Sequence, residues 1–129
     1  MQTNKPVIYV AGPYTSDPDA NIKTAITYGE HFVKLGFAVL IPHLCKLWDD
    51  IRPHDWEYWL ENCLNLVSRC DAVFRFDGES KGADLETSHA SDRGIPVFTD
   101  IYEMVGMFSS QLKKQAATPT SNTQEDKNA

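Results

Sequence analysis

Phe74-Arg75-Phe76-Asp77-Gly78-Glu79-Ser80-Lys81-Gly82-Ala83-Asp84-Leu85-Glu86, continuing through 87–93 to Gly94-Ile95-Pro96-Val97, reads as strand, glycine-bounded loop, helix, stop and strand. Asp71-Ala72-Val73-Phe74 supplies the short apolar run of a buried strand, and Gly78 and Gly82 bracket a polar turn. Gly94, with Pro96 beyond it, ends the helix. In open α/β sheets, a loop at the carboxyl end of a parallel strand is where ligands bind. Its backbone N–H groups, with Ser80 and its neighbours, suit a phosphate or another anion.

A helix beginning near Ala83 places residues 83, 86, 87 and 90 on one face, and Ala83 and Ala90 are small enough to bring that face close to the sheet. Glu86 then points at the ligand crevice. In a first helical turn the dipole favours the charged carboxylate, keeping it ionised and fit for nucleophilic attack. The plainer reading is that an acidic residue there only offsets the dipole, a task Asp84 and Glu79 perform equally well.

Working outward, Val7-Ile8-Tyr9-Val10-Ala11 is a continuous run of strand formers, as expected for a strand buried on both faces. Gly12-Pro13-Tyr14 breaks it with a turn that lets backbone approach a ligand. Ser16-Asp17-Pro18 starts a helix carrying Ile22, Ala25, Ile26, Gly29, Phe32 and Val33 at helical spacing, closed by Gly36. Phe37 to Ile41 forms the next strand, and His43 follows it at the same sheet edge. Residues 44–53 read as an irregular segment able to fold over the crevice. Asp55 caps the next helix. Its stripe of Trp56, Trp59, Leu60, Cys63, Leu64 and Val67 reads as packing rather than as a surface for stacking a base.

Ile95 to Thr99 makes a further strand, 101–112 a last helix, and 113–129 a disordered polar tail after a domain spanning 1–112. Strands alternating with helices give a three-layer α/β domain with a parallel sheet of four to five strands. Its carboxyl edge gathers Tyr9, Gly12, Tyr14, His43, Ser80, Gly82 and Glu86.

The formal net charge of −6 argues against a general nucleic-acid binder but leaves room for local anion binding. No apolar run is long enough to span a membrane. Met1 to Pro6 leads straight into a strand, with no room for a signal peptide. Three cysteines, Cys45, Cys63 and Cys70, suit a reducing cytoplasm. With His43 and His54 they lack the paired spacing of a zinc site, so neither metal nor cofactor is expected.

Ile8-Tyr9-Val10-Ala11-Gly12-Pro13-Tyr14, Arg69-Cys70-Asp71-Ala72-Val73, Ser80 to Glu86 and Gly94-Ile95-Pro96-Val97 together resemble the nucleoside 2-deoxyribosyltransferase superfamily, over about residues 7–98. The serine six residues before the glutamate is similar to that of the 2′-deoxynucleoside 5′-phosphate N-hydrolases. The resemblance implies a flavodoxin-like fold, a homo-oligomer, and N-glycosidic bond cleavage through a glycosyl-enzyme ester. Under it, Glu86 is the nucleophile, Tyr9 positions that carboxylate, Gly12 lies in a ligand-contacting loop and Ser80 contacts the 5′-phosphate. Tyr14, His43, Asp55 and Gly82 complete the expected substrate-binding set.

One position departs from the pattern: many members carry an aspartate where this chain has Cys63. A thiol with a pKa near about 8.5 is a poor acid or base for that role. His43, Asp55, Asp77 or a residue of a neighbouring subunit is left to protonate the base. The alternative is a nucleotide sensor that has kept the pocket and lost the reaction.

Overall fold

A computed structural model describes residues 1–117. The elements are β1 (Val7–Ala11), α1 (Pro18–Leu35), β2 (Ala38–Leu40), a 3-10 turn (Pro42–Cys45), α2 (Lys46–Ile51), α3 (Trp56–Val67), β3 (Ala72–Arg75), α4 (Lys81–Asp92), β4 (Val97–Phe98), α5 (Ile101–Met107) and α6 (Ser109–Ala117).

The strands form one four-stranded sheet in the order β2-β1-β3-β4. All three pairings are parallel, with Ile8 opposite Val39 on one side and Ala72 on the other. This is the expected three-layer, flavodoxin-like α/β architecture, with four strands.

Because strand side chains alternate, β1 feeds two cores. Ile8 and Val10 join Ala25 and Phe32 of α1, Phe74 of β3 and Met104 of α5 on one face. Tyr9 and Ala11 join Cys63 and Val67 of α3, Val73 of β3, and Ala83 and Ala90 of α4 on the other. β1 stands at the point where the strand order reverses, so the loops after β1 and β3 part at their carboxyl ends and open a crevice between them.

Three expectations need correction. Residues 44–53 are not irregular: Pro42 opens a 3-10 turn, and α2 follows it, held by a 2.7 Å Lys46–Asp50 pair one helical turn apart. The last helix is two, because the chain breaks step at Phe108, whose ring packs edge-on against Phe37 at 5.7 Å between centroids. The expected tail is helical as far as Ala117. Leu112 packs on the core, and Gln111 and Gln115 donate to the Asn4 carbonyl. Residues 118–129, the rest of that tail, lie outside the described residues.

Candidate functional site

The crevice is a cleft of about 470 Å³, within the usual size range of small-molecule sites. Three elements converge on it. The β1 loop brings Gly12 and Tyr14, the 3-10 turn brings His43, and the start of α4 brings Ser80, Gly82 and Glu86. Gly12 is required by packing, since a Cβ there falls 2.2 Å from the Phe76 ring. Gly82 is different: a Cβ would meet only Trp56 Nε1, at 4.0 Å, so the chain's own packing leaves the space beside it open.

Glu86 is buried, on the face of α4 shared with Ala83 and Ala90. Tyr9, fully buried on β1, donates its hydroxyl proton to Glu86 Oε2. The Cys63 thiol is a second hydrogen-bonding neighbour of both.

The charge state differs from expectation. Ser80 is the N-cap, accepting from the Ala83 N–H at 3.1 Å, so α4 begins at Lys81 and Glu86 falls in the second turn. There the dipole is weak. Burial dominates and pushes the carboxyl up to about 7, opposed by the hydrogen bonds from Tyr9 and Cys63 and by the Arg75 charge. Burial also pushes the Tyr9 phenol well above its ordinary range and the Cys63 thiol up to about 12, so both keep their protons.

Arg75 holds the loop that delivers α4. Its guanidinium donates to the Phe76 carbonyl, to the Gly78 carbonyl at 2.8 Å and to Asp84 Oδ1 at 3.1 Å. His43 is buried; its Nε2 donates to the Pro13 carbonyl at 2.9 Å, which leaves Nδ1 as the unprotonated nitrogen of a neutral ring. Desolvation lowers its pKa, and Nδ1 has no hydrogen-bond partner.

Asp55 does not reach the cleft. It is exposed, and its carboxylate accepts the Tyr58 N–H at 2.9 Å as the cap of α3. Capping accounts for it. Asp77 is exposed and also lies outside the cleft lining.

Sequence reasoning missed the aromatic part of the lining. Trp56 and Trp59 line the cleft instead of packing wholly in a core, and Trp56 remains 42% exposed. Asp49 of α2 lines it too, with Oδ1 accepting from Trp59 Nε1 at 2.6 Å and from the His54 N–H at 3.0 Å. Those bonds lower its pKa and fix it as an anion. An aspartate three residues before the Arg-Pro-His run carried no visible signal, because its partners are tertiary. Among the described residues, no group of three or more His, Cys, Asp or Glu side chains is placed to hold a metal, and no helix is long and apolar enough to cross a membrane.

Residues 6–100 match the model of a family described as Domain of unknown function (DUF7768), and the chain belongs to that family. No curated protein matches it.

Proposed function

We propose that this DUF7768 protein cleaves the N-glycosidic bond of a nucleoside or nucleoside 5′-monophosphate, by hydrolysis or by base exchange. The observation that carries the reading is the Tyr9–Glu86 pair: a buried carboxylate, held by a phenol, in the wall of a cleft of about 470 Å³. Tyr9 engages Oε2 and leaves the second oxygen to attack C1′ as the bond to the base lengthens. The electron pair of the C1′–N bond departs with the base, and a glycosyl ester of Glu86 remains. Water, or a second base, then takes the sugar. With its pKa near about 7, Glu86 is partly ionised at neutral pH and more basic than an ordinary carboxylate, which suits a nucleophile.

The aromatic side of the cleft, Trp56 and Trp59, supplies flat surfaces for a base. Ser80 and the open space beside Gly82 supply the start of α4 for a phosphate. The three free thiols fit a reducing, cytoplasmic setting. Exposed Leu44, Leu47 and Ile51, beside the cleft in sequence, supply apolar surface for a homo-oligomer.

The test is base release from a panel of ribo- and deoxyribonucleosides and their 5′-monophosphates, with Glu86→Gln alongside. Release that survives in Glu86→Gln rules the mechanism out. The second reading, a sensor that binds a nucleotide without cleaving it, is favoured by Cys63 standing protonated beside Glu86 where a working acid is needed. It predicts ligand-induced thermal stabilisation without release.

A further inference from the structure

We infer that the base leaving this site is a heteroaromatic ring already carrying a positive charge, N-linked to the sugar through that charged ring system, as in a pyridinium or N7-alkylpurinium glycoside. The inference rests on the N-glycosidase reading above and names the substrate class of the same site. It comes from two independent features of the cleft.

The first is how its proton-bearing groups are committed. A neutral base leaves C1′ poorly unless a proton reaches it, and a positioned acid normally supplies about 10²- to 10⁴-fold of the rate. Among the described residues lining the cleft, the Nε2 proton of His43 is engaged by the Pro13 carbonyl, and its Nδ1 has none to give. Asp49 is an anion holding two N–H donors on one oxygen. Cys63 faces Tyr9 and Glu86, and Tyr9 is bound to Glu86 itself. Lys46 is paired with Asp50 at 2.7 Å, and Lys81 is stationed over Trp56. Tyr14 keeps a phenol, and Cys45 a thiol, that burial makes still weaker acids than usual. Glu79 stands exposed to water.

The second feature is the aromatic lining that α3 contributes to the cleft, Trp56 and Trp59. Trp59 is hydrogen-bonded to the Asp49 anion, and Trp56 already presents its face to a cation, the Lys81 ammonium lying 5.2 Å from the ring centroid. Indole faces and a fixed carboxylate attract a flat cation more than a neutral ring.

A cationic base removes the need for the missing proton. A Glu86 carboxylate oxygen bonds to C1′ while the C1′–N bond breaks; its electron pair returns to the ring nitrogen and cancels the ring charge. No proton moves in that step. Water then attacks C1′ of the ester, the C1′–O bond to Glu86 breaks to restore the carboxylate, and one proton leaves to solvent.

Matched pairs test the idea in the full chain: 7-methylguanosine 5′-monophosphate against guanosine 5′-monophosphate, and nicotinamide riboside 5′-monophosphate against uridine 5′-monophosphate. Base release is followed by chromatography, with protein-free and Glu86→Gln controls, the variant's folding being checked by its thermal melt. The expected result is release at least about 100-fold faster from the charged member of each pair, lost in Glu86→Gln. Equal or faster Glu86-dependent release from the neutral members overturns the inference and leaves the glycosidase reading standing. No protein-dependent release from any of the four overturns both.

Discussion

Replacing Glu86 by glutamine tests the buried carboxylate without any substrate. Glu86 rises from an ordinary 4.5 to about 7 in the folded protein because burial strips water from its charged form. Between those two values the folded chain holds a proton that the unfolded chain has released. The stabilising contribution of the protonated group is therefore complete below about pH 4.5 and is lost as pH rises through about 7. At about 1.4 kcal/mol per pH unit, that loss comes to roughly 3 kcal/mol. Glutamine has no such titration, yet it keeps the shape and still accepts the Tyr9 hydroxyl. Any fixed cost of burying its amide is the same at every pH and cancels. The unfolding free energy of Glu86→Gln minus that of the native protein should thus rise by roughly 3 kcal/mol between pH 4.5 and 8.5, worth about 10 °C in melting temperature for a domain of this size. Urea titrations followed by the fluorescence of Trp48, Trp56 and Trp59 measure it across the range. Two stability curves that stay parallel from acid to alkaline pH would show that burial does not hold a proton on Glu86, and the account of the site's charge would fail.

Tyr9→Phe removes a donor to the ionised carboxylate, and a hydrogen bond to a charged group is worth about 1.5–3 kcal/mol. The Glu86 midpoint should move upward by about one to two pH units, read from the carboxyl stretch in infrared titrations; an unmoved midpoint contradicts the pairing. Gly82→Ala should raise the melting temperature slightly, by up to about 1 kcal/mol of helix propensity, because its Cβ meets nothing closer than 4.0 Å. The same change should reduce the thermal shift given by nucleoside 5′-monophosphates, and an unchanged shift would show that no ligand uses that space. Gly12→Ala should instead destabilise by about 1–3 kcal/mol in urea, since the new methyl collides with the Phe76 ring; a neutral outcome would mean that the ring swings away freely.

The sheet and the Glu86 face were legible because each follows from local spacing. An unbroken apolar run marks a doubly covered strand, and small residues three and four apart bracket the glutamate. The charge of Glu86 was not legible, because it turns on where α4 begins. Ser80 takes the cap, two residues earlier than the glycine and alanine suggested, and the dipole loses its hold. The stripe on α3 misled for a different reason. Cys63 and Val67 near its end pack under the sheet while Trp56 and Trp59 at its start border the cleft, and one helical period describes both. Helix α2 is short and tied down by Asp49 reaching Trp59, ten residues on; no window of sequence contains that reason for folding. Asp55 was read both as a cap and as a substrate contact; the structure shows the cap, and Asp55 stands outside the cleft lining.

Cys63 links the two halves of the proposed chemistry. An aspartate at that position would set a second carboxylate beside Glu86 and Tyr9, in surroundings that already resist one negative charge. Like charges so placed cannot both ionise, and one proton would be shared between them at neutral pH. The shared proton is what a neutral leaving base needs. The thiol, pushed up to about 12, puts no second carboxylate directly beside Glu86 and Tyr9, and so leaves Glu86 freer to ionise than it would be beside a second acid. On the proposed reading, a thiol in that place also offers the leaving base no proton donor. A site that favours its nucleophile while offering the leaving group no acid performs best on a bond whose far atom is already electron-deficient. On the proposed reading, the tryptophans and the fixed Asp49 anion are where such a ring would be held.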